Sequence, residues 1–158
     1  MIGMMKVYSL IAEQKIKLSI SEAWEFFSNP NNLKKITPEH LGFHITNELP
    51  DKMYAGMLIT YKLSPIKPFK VTWVTEITQV NEPHHFIDNQ RFGPYSMWHH
   101  QHFFEEIDGG VLMKDIIHYV IPFGIFGRIA NRLFVRRQLN GIFAFRKKVL
   151  KKMFGEID

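Results

Sequence analysis

Between Phe43 and Ile121 the chain reads as six strand-like segments divided by turn residues: 43–49, 57–63, 69–80, 84–91, 95–107 and 111–121. The dividers are Pro50-Asp51, Pro65 to Pro68, Asn81-Glu82-Pro83, Gly93-Pro94 and Asp108-Gly109-Gly110. Neighbouring strands joined by connections this short pair antiparallel, so the stretch predicts a meander, and Asp108-Gly109 suits a two-residue hairpin turn. Whatever surrounds it must cover one face of that sheet.

The flanks supply the cover. Val7 to Leu18 alternates as a half-buried strand. Ser19-Ile20-Ser21-Glu22 has the spacing of a capping box, in which the Ser hydroxyl and the Glu carboxylate satisfy free amides at a helix start. Ala23, Trp24 and Phe27 follow at helical spacing, Asn29-Pro30-Asn31-Asn32 ends that helix, and Leu33 to Ile36 adds another turn before Thr37-Pro38. At the other end, Pro122 is placed to open a helix. Ile125, Phe126, Ile129 and Leu133 define one apolar arc, and Leu139, Ile142, Val149, Leu150 and Met153 define another rotated away from it. This predicts a short helix, a break in the 130s and a long helix to about Phe154.

A chain of 158 residues suits one core, and a single domain spanning 1–158, with its core at about 7–154, is expected. The sequence is 46% hydrophobic with 14 Phe, which favours large rings able to line a pocket as well as fill a core. It has no cysteine, so disulfides, thiolate catalysis and Cys-ligated metals are excluded. No segment has the roughly 18 uncharged apolar residues of a membrane span, and no signal-peptide pattern opens the chain, so a cytoplasmic location is expected. Met1, Met4 and Met5 are alternative starts. The formal charge of +5 is uneven, because Pro122 to Phe154 holds no Asp or Glu and the remainder is net acidic. Such a basic helix is either a solvated outer face or a weak contact for anionic membrane, to which Lys34-Lys35, Arg136-Arg137, Lys147-Lys148 and Lys151-Lys152 contribute. No nucleic-acid motif accompanies it, so nucleic acid is not an expected partner. Oligomeric state has no sequence signal here.

The most informative strand carries Trp98, His100, His102 and Phe104 on one side and His99 on the other. If Asp108-Gly109 is the turn, Ile107 pairs with Gly110, and His102 then faces Asp115, His100 faces Ile117 and Trp98 faces Tyr119. His102 with Asp115 has the residues for an oriented base, or for a buried pair that fixes tautomer and register. Two His and one Asp also have donors for Zn²⁺ or Fe²⁺, but the spacing is only weakly diagnostic, and neither metal nor cofactor is assigned. Arg146, within the second apolar arc, must find water, a carboxylate such as Asp88 or Asp115, or an anionic ligand group. Trp73 shares a strand face with Thr75 and Ile77, Tyr119 can offer a hydroxyl to a ligand, and Tyr95 is read as shaping its turn.

Asn32-Leu33 with Thr37-Pro38, Phe86 to Gln90, Gly93-Pro94-Tyr95 leading into Trp98-x-His100-x-His102-x-Phe104, and Pro122-Phe123-Gly124 resemble pieces of the START-like (SRPBCC) superfamily. The likeness is closest to its bacterial polyketide cyclase-like branch and runs from about Val7 to Phe154. It implies an α+β helix-grip fold of the START or Bet v 1 kind. In that fold a curved antiparallel sheet of six or seven strands wraps a long C-terminal helix, and two short helices follow the first strand. It also implies a deep cavity of the kind that elsewhere holds lipids, quinones, hormones or polyketides.

The preferred reading is therefore a non-catalytic binder or carrier of a lipid-, quinone- or polyketide-like molecule. Trp73, Trp98, Phe104 and Tyr119 hold the ligand, and His100, His102, Asp115 or Arg146 orient it. One alternative is a cyclase or dehydratase using His100 and His102, with Asp115, as acid and base. Another is a membrane- or protein-interaction module acting through its basic helix.

Overall fold

The computed structural model describes residues 5–66 and 68–157. The alternative starts Met1 and Met4 lie outside them. The chain begins with strand β1 (Tyr8–Ile16), followed by helix α1 (Ile20–Phe27) and two 3-10 turns, Pro30–Ile36 and Glu39–Leu41. The capping box forms as its sequence predicts: the Glu22 amide donates to the Ser19 hydroxyl, and the Ser19 amide donates to the Glu22 carboxylate.

Next come β2 (His44–Ile45), β3 (Leu58–Ile66), β4 (Phe69–Asn81), β5 (His85–Phe92), β6 (Met97–Ile107) and β7 (Gly110–Val120). They form one antiparallel sheet in the order β1-β7-β6-β5-β4-β3-β2. The meander is thus continuous from β2 to β7, and β1 returns to pair with the last strand. The largest departures from the expected strand boundaries are in β2 and β3. The segment 43–49 supplies only two strand residues, and β3 runs through Pro65 instead of stopping before it. Proline is accommodated there because the ladder shifts register between Leu63 and Ile66, and β2 covers only Tyr61 and Lys62, leaving that end of β3 an open edge.

The C-terminal rod starts at Gly124 rather than at Pro122, because Phe123 adopts a left-handed backbone that ends the preceding loop. Helix α2 (Gly124–Ala130) passes through a π turn (Asn131–Val135) into α3 (Arg136–Phe154). The expected break is therefore a widening. One extra residue is absorbed, which rotates the apolar stripe by about 100°. Asn131, buried in that turn, accepts a hydrogen bond from the Tyr119 hydroxyl at 3.0 Å and ties the rod to β7. Past α3, the Ile157 amide donates to Lys15 and Ile16 bridges Glu156, so the chain closes back onto β1. Among the described residues, no helix is long and apolar enough to cross a membrane.

Two cores result. The larger gathers Trp24, Phe27, Phe86 and Phe104 with Ile16, Val111 and Leu150. The smaller joins Ile117, Tyr119 and Leu139 at the far end. Between them the sheet stands away from α3.

Candidate functional site

That gap is a cavity of about 520 Å³. Trp73, Tyr61 and Ile59 line it from the long strands, Leu139, Ile142 and Phe143 from α3. Its surface is mainly apolar, and its charged and imidazole side chains, Asp88, His100, His102 and Arg146, meet at one place.

The β6–β7 hairpin has the anticipated register. Ile107 pairs with Gly110, and His102, His100 and Trp98 face Asp115, Ile117 and Tyr119. A second ladder gives Asp88, expected only as a partner for Arg146, a further role: on β5 it lies directly opposite His100. The two imidazoles stack, with ring centroids 3.7 Å apart, and a carboxylate closes each side. On the side facing the cavity, His102 Nε2 donates to Asp88 Oδ2 at 2.7 Å, while His100 Nδ1 stands 3.6 Å from the same oxygen. On the opposite side, Asp115 Oδ1 accepts from His100 Nε2 at 2.8 Å and lies 3.1 Å from His102 Nδ1. Arg146 Nη1 reaches the same Asp115 oxygen at 3.4 Å, and its guanidinium lies over the Phe143 ring. These side chains are 7 to 14% exposed.

Burial acts first on every group in this cluster, raising the carboxyls and lowering the imidazoles. For Asp115 the hydrogen bonds from both histidines and the charge of Arg146 outweigh burial, and its carboxyl sits well below the usual range. Asp88 is likewise lowered, through His102 and His100. The histidines diverge. His100 is pushed down by burial and by the neighbouring His102, whereas hydrogen bonds to Asp115 and Asp88 overcome burial and raise His102. Geometry gives the same assignment. Both nitrogens of His102 face ionised carboxylates, which only accept, so both carry protons. His100 needs a proton only on Nε2, and its Nδ1 keeps a lone pair directed toward Asp88. Two carboxylates, one imidazolium and one guanidinium then sum to zero charge, which makes the cluster tolerable in an apolar wall.

The structure sorts the other expected site residues. Trp73, Trp98, His100, His102 and Arg146 line the cavity. Asp115 lies behind the imidazoles, facing a smaller pocket under α3 with Gln14 and Lys147. Two residues expected on the cavity wall are elsewhere. Phe104 is buried in the larger core against Trp24, Phe27 and Phe86, because the sheet is already covered by α1 at that point on β6. The Tyr119 hydroxyl is committed to Asn131 and its ring stacks on Tyr8, so it offers nothing to a ligand. Tyr95, read only as shaping its turn, lines the cavity and packs against Trp73 and Trp98. Asp88 was missed beside His100 because a tight turn at Gly93-Pro94 would pair it with His99, whereas the observed ladder pairs it with His100.

No protein-family model and no curated protein matches this sequence. Solved structures do match. A norcoclaurine synthase point mutant from Thalictrum flavum, in complex with a transition-state analogue, superposes with a TM-score of 0.65 at 14% identity, covering 94% of this chain and 97% of that one. The major latex-like protein 151 of Panax ginseng gives 0.66 at 14% identity over 92% and 96%. A protein from Chromobacterium violaceum gives 0.71 at 9% identity over 95% and 99%. At such identities the likeness shows the fold alone: this chain has the Bet v 1-like, helix-grip fold.

Proposed function

We propose that the protein binds one apolar small molecule, of lipid, quinone or polyketide-like character, with a polar end placed against Asp88, His100 and Arg146. The observation that carries this reading is the cavity itself: about 520 Å³ of largely apolar space with its charged and imidazole groups gathered at one spot, the ordinary build of a small-molecule site. The norcoclaurine synthase variant of the same fold is a complex with a transition-state analogue, which supports reading the space between sheet and helix as a ligand chamber. Binding is preferred to acid-base turnover because both nitrogens of His102 are engaged by carboxylates, leaving one imidazole lone pair, at His100 Nδ1.

Ile142 lines the chamber from α3 without belonging to the polar cluster, so Ile142→Trp should fill the space. Native mass spectrometry of freshly purified, untagged protein should show a retained apolar molecule in the wild type and none in Ile142→Trp. An empty wild type that also fails to bind fatty acids, quinones or aromatic polyketides would overturn the reading.

A second feature supports collection of that ligand from a membrane surface. Phe123, Ile125, Phe126, Ile129 and Leu133 are 51 to 82% exposed, so the first apolar arc of the rod faces outward. Phe123 holds its left-handed backbone with its ring in solvent, an unfavourable state for a large residue. Arg132, Arg136 and Arg137 flank this face, and Phe134 at its end also lines the cavity. An apolar face bordered by guanidinium groups suits an anionic bilayer. The lysines farther along are weaker candidates, because Lys147 and Lys151 pair with Glu156. Cosedimentation with vesicles containing phosphatidylserine should be strong at low salt and fall about tenfold in Phe126→Asp. Equal binding by that variant would remove α2 from the interface.

A further inference from the structure

The two faces of the histidine pair differ in a way that ligand orientation does not require. Toward the cavity lie one carboxylate, Asp88, and one nitrogen of each ring, His100 Nδ1 and His102 Nε2. Asp88, His100 and His102 each offer a ligand atom, and these atoms all lie within 4.8 Å of one another. Away from the cavity, the remaining nitrogen of each ring is held by a single oxygen of Asp115, itself fixed by Arg146. A carboxylate behind a histidine, accepting from the nitrogen that does not bind the ion, is the arrangement that orients imidazoles in metal centres and raises their basicity. Here one carboxylate serves both rings. All four side chains are 14% exposed or less, so the group is not a chance cluster of surface acids.

We propose that Asp88, His100 and His102 bind a divalent transition-metal ion of the Zn²⁺ or Co²⁺ class. Asp115 is the outer carboxylate that positions both rings, and the fourth coordination position opens into the apolar chamber. The donor separations suit this. Bonds of roughly 2.0 to 2.2 Å in a tetrahedral site place ligand atoms about 3.3 Å apart, and Asp88 Oδ2 lies 2.7 and 3.6 Å from the two nitrogens. Occupation requires one proton to leave His102 Nε2, whose partner Asp88 then turns from hydrogen-bond acceptor to metal ligand. The cluster, neutral beforehand, gains one positive charge on this exchange. The ligand class that completes the site is therefore an anionic oxygen, a hydroxide or the carboxylate or enolate end of an apolar molecule. This inference goes beyond the binding proposal and stands without it, since the ion alone is the probe.

Chelator-treated, untagged protein should take up one equivalent of Co²⁺ with the intense visible bands of a four-coordinate ion, displaced by one equivalent of Zn²⁺. In ¹⁵N long-range correlation spectra of the wild-type protein, Zn²⁺ should move Nδ1 of His100 and Nε2 of His102 to metal-bonded shifts. Their partner nitrogens should remain protonated. Asp88→Asn should abolish uptake. Asp115→Asn should keep the stoichiometry and lose about ten- to a hundredfold in affinity. The proposal fails if uptake is substoichiometric, if other histidines carry the shifts, or if the nitrogens facing Asp115 are the ones that bind. The spectra on the wild type decide the matter even where a variant does not fold.

Discussion

Asp115→Ala should lower the unfolding free energy by about 3–5 kcal/mol, the range for removing one partner of a buried ion cluster. The carboxylate accepts from both histidines and faces Arg146. Without it a guanidinium and an imidazolium share an apolar wall with Asp88 as the one remaining counter-charge. Urea denaturation followed by tryptophan fluorescence measures the loss, and a change under 1 kcal/mol would mean that solvent reaches the cluster. Adding Arg146→Leu to the same variant should recover part of the loss, because the cost lies in the stranded charge more than in the missing bonds.

Phe104→Ala should also cost about 3–5 kcal/mol, through a different cause. Its ring is 4% exposed and contacts Trp24, Phe27 and Phe86 at centroid separations of 6.1, 5.5 and 6.2 Å. The void left behind is walled by the large rings of Trp24, Phe27 and Phe86. Since Phe104 lies outside the cavity wall, affinity for an apolar probe dye should be unchanged in the variant at temperatures where it remains folded. Loss of dye binding in proportion to lost stability would show that the core and the chamber are one cooperative space.

These two residues mark how far the chain could be read without its structure. Side-chain alternation put Phe104 and His102 on the same face of β6, and both are there. Alternation is a local property, however, and cannot say which part of a face is met by α1 and which by open space. That division is set by where the N-terminal helix lands, a contact between residues some eighty positions apart. The β6–β7 pairs were legible on the condition that Asp108-Gly109 is the turn, since a turn at Gly109-Gly110 would have lost them. Asp88 was not, since the 93–96 connection between β5 and β6 is long enough to allow more than one register. The outward arc of α2 was visible as a phase change, but periodicity alone does not say which phase is buried.

The π turn has a consequence for how such a chain can change. It is a one-residue phase shifter set between a helix that looks outward and a helix that looks into the chamber, with Asn131 bolting it to the sheet. Deleting any single residue from 131–135 would return the rod to uniform α geometry and roll α2 through about a quarter turn. The oily tip would swing off its present bearing, while every side chain beyond Arg136 kept its place. Chain length at this one joint, not the chemistry of any side chain, sets which way the outer face points relative to the chamber.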